Sequence, residues 1–172
     1  MNNVYITETV GKLSDHYDPT RKVVRLSKDI FHGTTVASTA IAAHECGHAI
    51  QDKEAYLFMR IRSFIFPIVH IATQVSYVII FIGLLLQVLD LIYIGIAFVA
   101  LGLVFQLVTL PVEINASKRA RAEINKLKLA KTNEEEGVKK MLDAAAMTYV
   151  AGVLASALQL LRLILAFGNR RD

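Results

Sequence analysis

The stretch SFIFPIVHIATQVSYVIIFIGLLLQVL, residues 63–89, contains no Asp, Glu, Lys or Arg. After Asp90 a second charge-free stretch, LIYIGIAFVALGLVFQLVTLPV, runs from residue 91 to 112. Each exceeds the roughly 20 residues that an α-helix needs to cross a hydrocarbon core. They predict two membrane helices, 63–89 and 91–112, joined by a tight turn around Gln87 to Asp90, because a soluble helical hairpin seldom excludes charge from both arms. Composition agrees, with 54% of the 172 residues hydrophobic and a mean hydropathy of +0.45, high for a soluble chain. A short turn returns the chain to the side it came from. The segments preceding residue 63 and following residue 112 are therefore expected to face one another.

Immediately upstream lies Ala43-His44-Glu45-Cys46-Gly47-His48-Ala49-Ile50, a His-Glu-x-x-His pattern in an apolar run of helical character. At about 100° per residue His44 and His48 stand one turn apart on one face, with Glu45 beside them. Two neutral imidazoles suit a zinc ion, and a carboxylate that does not reach the metal is left to take a proton from the water it activates. Ala37, Ala40 and Ile41 put the same face against an apolar neighbour, where unpaired imidazoles would be costly. Gly33-Thr34-Thr35 supplies an N-cap threonine, so the metal helix is expected over 34–55. Asp52, one turn beyond His48, is a candidate to orient an imidazole through its outer nitrogen, or is simply an exposed helix carboxylate.

Immediately downstream, Glu113 is the acidic residue nearest the membrane end of a helix expected over 113–130, sharing a face with Ser117, Ala120 and Arg121. Two histidines and one glutamate form a catalytic zinc combination that leaves a fourth position for water. Pairing of Glu113 with an interfacial Lys or Arg is the competing reading.

Residues 1–33 are polar and turn-rich, with a short strand at Val23 to Ser27 whose charged flanks suit a sheet edge. Such an edge either accepts an extended substrate or merely covers the metal helix. His16 and His32 are possible extra ligands; His70 and Gln74, within the first span, suit hydrogen bonding between helices. The run 134–167 opens on Thr132-Asn133-Glu134-Glu135, an N-cap with acidic first-turn residues, and is uncharged from Ala144 to Leu161, which suits a third span. Met1 to Leu13 does not read as a signal peptide. The single cysteine, Cys46, excludes an internal disulfide. The net charge of +4 is modest and dispersed, which argues against a nucleic-acid partner. Arg60, Arg62, Lys118, Arg119 and Arg121 crowd one side of the hairpin while its turn carries no Lys or Arg, which places that side in the cytoplasm. A crossing third helix would put Arg170 and Arg171 outside, against the same rule.

Asp15-His16-Tyr17-Asp18-Pro19, Val24-Arg25-Leu26-Ser27, Ala42 to Gln51, Leu110 to Ser117 and Thr148-Tyr149-Val150-Ala151 together resemble the YugP-type bacterial membrane zinc metallopeptidases, which are more distantly similar to HtpX-like proteases. The resemblance implies a gluzincin-type site in which His44, His48 and Glu113 hold one Zn2+ per chain and Glu45 is the catalytic base. Tyr149 lies in a family motif, where its hydroxyl would stabilise an oxyanion or mark the membrane interface; Ser117 and Asp52 are the candidate supporting residues. Family members usually begin with a further membrane helix and linker, so this chain is expected to be a short form or a fragment. The resulting expectation is a mainly α, integral-membrane helical bundle with a short N-terminal β-ribbon, forming one domain over 1–172. It would be a multi-pass metalloendopeptidase of the bacterial cell membrane acting on peptide or protein substrates at the cytoplasmic surface. A non-catalytic zinc-binding scaffold is the alternative, and a zinc transporter would need more polar ligands inside the spans than His70.

Overall fold

The computed structural model describes residues 4–168, so Arg170 and Arg171 lie outside the described residues. Chain order is β1 (Tyr5–Thr9), β2 (His16–Asp18), β3 (Val23–Ser27), α1 (Lys28–Phe31), α2 (Val36–Lys53), α3 (Leu57–Leu86), α4 (Leu89–Leu127) and α5 (Glu135–Phe167). The protein is mostly helical. Two compact units emerge, one from the N-terminal part through Met59 together with Pro111–Thr148, the other from Arg60–Leu110 together with the chain from Tyr149 onward.

In the first unit the strands form a sheet in the order β1-β3-β2, with β1 parallel and β2 antiparallel to β3. Val23 to Ser27 is therefore the central strand and not the expected edge. Val24 and Leu26 alternate inward, 1% and 5% exposed, and join Tyr17, Ala49, Met59 and Val112 in one apolar cluster. The aromatic and β-branched start of β1, Tyr5-Ile6-Thr7, lends itself to pairing even though most of its side chains stay exposed. Asp15 closes the far end by accepting from the Ser27 amide at 2.7 Å and its hydroxyl at 3.0 Å.

Helix α2 starts as its sequence dictates, with Thr35 accepting from the Ser38 amide at 3.1 Å. Beyond its last residue, Lys53, and the C-cap Glu54, Ala55 has a φ of 54° in the left-handed region, with Ala55 N donating to Asp52 O and Tyr56 N to Gln51 O. That paired bonding satisfies the last carbonyls of the helix without a glycine.

In the second unit, α3 and α4 form the expected hairpin. Gln87 adopts φ 56°, and Val88 N bonds Gly83 O at 2.9 Å while Gln87 N bonds Leu84 O, so two residues suffice to reverse the chain. Gly95 lets the arms approach closely; a Cβ there would lie 2.8 Å from Ser76 O. Helices α3, α4 and α5 are each long and apolar enough to cross a membrane. Their outward Phe64, Phe81, Leu85, Leu158 and Leu165 are exposed, as lipid-facing side chains are. Bonds between helices come from Gln106, which donates to Ser156 Oγ at 2.6 Å, and from Tyr93, which donates to Phe167 O at 3.2 Å. His70 and Gln74 do not serve that purpose. They bond each other at 3.0 Å one turn apart on an exposed face of α3, because the helical i,i+4 spacing already brings them together.

Helix α4 continues without a break from the second charge-free run through Pro111 to Leu127. Residues 91–112 and the segment beginning at Glu113 thus belong to one helix, not two.

Candidate metal centre

Three donors converge in the first unit. His44 and His48 project from α2, and Glu113 from α4. Glu113 Oε2 lies 3.1 Å from His44 Nε2 and 3.3 Å from His48 Nε2, and the three candidate ligand atoms all fall within 4.8 Å of one another. Ligands at about 2.0–2.1 Å around a tetrahedral ion stand about 3.3 Å apart, so both carboxylate-to-imidazole distances already match a zinc shell. Two imidazole nitrogens and one carboxylate oxygen are also the donor chemistry that zinc prefers. The residues present fit the ion.

Backbone proximity makes the convergence possible. Gly47 sits between the two histidines in sequence, and a Cβ on it would lie 2.5 Å from Ala116 O. Along α4, Val112, Ala116 and Ala120 are at most 1% exposed. Small residues on both helices therefore let Glu113, itself 1% exposed, reach the imidazoles.

The outer imidazole nitrogens are engaged as well. Ser117 Oγ is 3.2 Å from His44 Nδ1, the position its helix face predicts. Asp52, by contrast, does not orient His48. Its carboxylate accepts from the Tyr17 hydroxyl at 2.6 Å and from Lys22 at 2.5 Å, so the sheet captures it. Gln51 takes that place, with Oε1 3.0 Å from His48 Nδ1. Its signal in the sequence is its place at i+3 from His48, the helical spacing that brings two side chains together. His16 and His32 are turned elsewhere, to Ser14 O at 2.7 Å and Glu8 Oε2 at 2.9 Å. Among the described residues the only metal-capable group is His44, His48 and Glu113. Tyr149 stands on α5 in the second unit, 38% exposed.

Electrostatics set the two acid-base groups apart. Burial pushes the Glu45 carboxyl above the usual carboxylate range, against the lowering pull of His48 and His44. Burial pulls His48 down, but the hydrogen bond and charge of Glu113 outweigh it, and the imidazole ends above its ordinary value. The centre therefore has a poised carboxylate beside a cation-attracting pair.

The family model described as "Putative neutral zinc metallopeptidase" matches residues 1–168. The chain belongs to this family. A relative named "Putative membrane protease YugP", from Bacillus subtilis (strain 168), is 47% identical over 162 residues, covering 94% of this chain and 72% of that protein. No solved structure matches. The zinc-suited donor set agrees with that family's description, and the three helices long and apolar enough to cross a membrane agree with the relative's description as a membrane protein.

Proposed function

We propose that this chain is a zinc-dependent membrane endopeptidase that hydrolyses peptide bonds of protein substrates at the cytoplasmic membrane surface, using one zinc per chain. The observation carrying the reading is the meeting of His44, His48 and Glu113 within ligand distance beside a buried Glu45. His44, His48 and Glu113 would hold the zinc, which would supply polarisation of the scissile carbonyl and a lowered pKa for the attacking water. The remaining steps belong to the chain. Glu45 accepts the proton of that water on its carboxylate and hands it to the leaving amine. Its raised pKa, caused first by burial, makes it a stronger base than a solvated glutamate and a competent acid afterwards. Glu113 serves as a charged ligand, and Ser117 steadies His44 through Nδ1. The cytoplasmic side follows from Arg60, Arg62, Lys118, Arg119 and Arg121, read by the positive-inside rule.

Substituting Glu45→Gln tests the role of the base. Zinc content of the detergent-purified variant is expected to stay near that of the wild type, while cleavage of casein falls by roughly 10²- to 10⁴-fold. Wild-type activity is expected to disappear with a chelator and return with zinc. A wild type that binds zinc yet cleaves no better than Glu45→Gln would make the protein a zinc-binding scaffold instead.

A further inference from the structure

The two helices that carry the donors are joined by one side chain that is fully buried, Gln51, at 0% exposure. Its nitrogen donates to Val112 O at 2.7 Å and to Asn115 Oδ1 at 2.9 Å, while its oxygen faces His48 Nδ1 at 3.0 Å. Direction follows from the acceptors. A backbone carbonyl only accepts, so the amide nitrogen must point at Val112 and the amide oxygen must point at His48. The Nδ1 of His48 is then obliged to carry a proton and donate it, which leaves Nε2, the atom facing Glu113, as the metal-binding nitrogen. Reversal of the amide would set two acceptors against each other at Val112 and desolvate both.

Val112 O belongs to the peptide unit that joins Val112 to Glu113. Gln51 thus grips the imidazole of one ligand and the backbone one bond from another. Its hold extends further, since Asn115 Oδ1 also accepts from Arg119 Nε at 2.7 Å, and Arg119 Nη1 pairs with Glu54 Oε2 at 2.7 Å. The chain of contacts leaves α2 at Gln51, follows α4 from Val112 to Arg119, and returns to Glu54, the C-cap residue of α2.

We infer that Gln51 is a positioning residue for metal binding, which fixes the His48 tautomer and holds His48 at the correct separation from Glu113. This rests on the reading of His44, His48 and Glu113 as the zinc ligands. Partners that lock a ligating histidine typically contribute 10- to 100-fold in metal affinity.

Two variants of the full chain, purified in detergent, test it by competition of zinc against a chromophoric chelator. Gln51→Met keeps side-chain length and fills the buried space but offers His48 no oxygen; its zinc dissociation constant is expected to rise 10- to 100-fold. Gln51→Glu restores an acceptor for Nδ1, and in its protonated form a donor for Val112 O; it is expected to stay within about fivefold of wild type. Cobalt(II) loaded in place of zinc gives an independent reading, with visible absorption bands expected to change for Gln51→Met and to be retained for Gln51→Glu. Wild-type affinity in Gln51→Met, or equal weakness in both variants, would overturn the inference while leaving the ligand set standing. Wild type that binds neither metal would overturn both. If the methionine variant does not accumulate, Gln51→Leu, which also lacks an acceptor for His48 Nδ1, takes its place with the same expected rise and the same overturning result.

Discussion

At the scale of single residues, the pairing of His44 and His48 on one face beside Glu45 was legible because helical spacing is local, whereas Glu113 was reached only through the hairpin that returns the chain; Ser117 stands at i+4 from Glu113. The exchange of Asp52 for Gln51 was not legible, because Tyr17 on β2 and Lys22 in the turn before β3 claim Asp52 from 35 and 30 residues away in sequence, and periodicity carries no trace of that competition. The ligand role of Glu113 has a direct check. Glu113→Ala is expected to lower zinc occupancy at equal free zinc far more than Glu123→Ala, since Glu123 pairs with Lys126 on the helix surface at 3.6 Å. Equal occupancy, measured by metal analysis after dialysis, would exclude Glu113. A pH dependence follows from His48. Metal binds the neutral imidazole, so protons compete for Nε2, and a pKa raised above 6.5 by Glu113 keeps the competing proton in place to higher pH. Zinc affinity is therefore expected to go on rising with pH beyond 6.5, in titrations buffered by a chelator of known protonation. A plateau reached below that value would refute the raised imidazole.

At the scale of elements, helices were found where apolar runs and caps announced them, but their ends were not. A composition change at Glu113 suggested a new helix, whereas α4 runs through it; passing from an apolar to a polar setting alters side chains and leaves the backbone hydrogen bonds unaffected. Pro111 removes one donor, and long membrane helices tolerate that when neighbours compensate. The close crossing of α2 on α4 was equally silent, although Gly47 between the two histidines was its signal. Two opposing effects meet there. Alanine in place of a helical glycine gains up to about 1 kcal/mol in propensity. Its Cβ, at 2.5 Å from Ala116 O, must push one backbone off the other, and misfits of this kind cost about 1–3 kcal/mol. The clash is expected to win, so Gly47→Ala should lower both the thermal midpoint and zinc occupancy in detergent, where an isolated propensity effect would raise the midpoint.

At the scale of the whole molecule, the hairpin was the most legible feature, and the three-stranded sheet the least, since β1 is paired by β3 and offers little apolar patterning of its own. The side of the membrane on which each end of the hairpin emerges has a direct test. The turn at Gln87 and Val88 bears no basic residue, while the opposite ends of α3 and α4 carry Arg60, Arg62, Lys118, Arg119 and Arg121, the bias on which the proposed cytoplasmic side rests. The chain has one native thiol, and burial pushes the Cys46 thiol up in pKa, which makes it a slow background nucleophile. A cysteine introduced by Val88→Cys is therefore expected to react with a membrane-impermeant maleimide added to intact cells. One introduced by Glu123→Cys, on the polar part of α4, is expected to react only after permeabilisation. The reverse labelling pattern would place the hairpin turn in the cytoplasm and remove the argument from basic residues, whereas labelling of neither in intact cells would mean that the turn does not reach the outer surface.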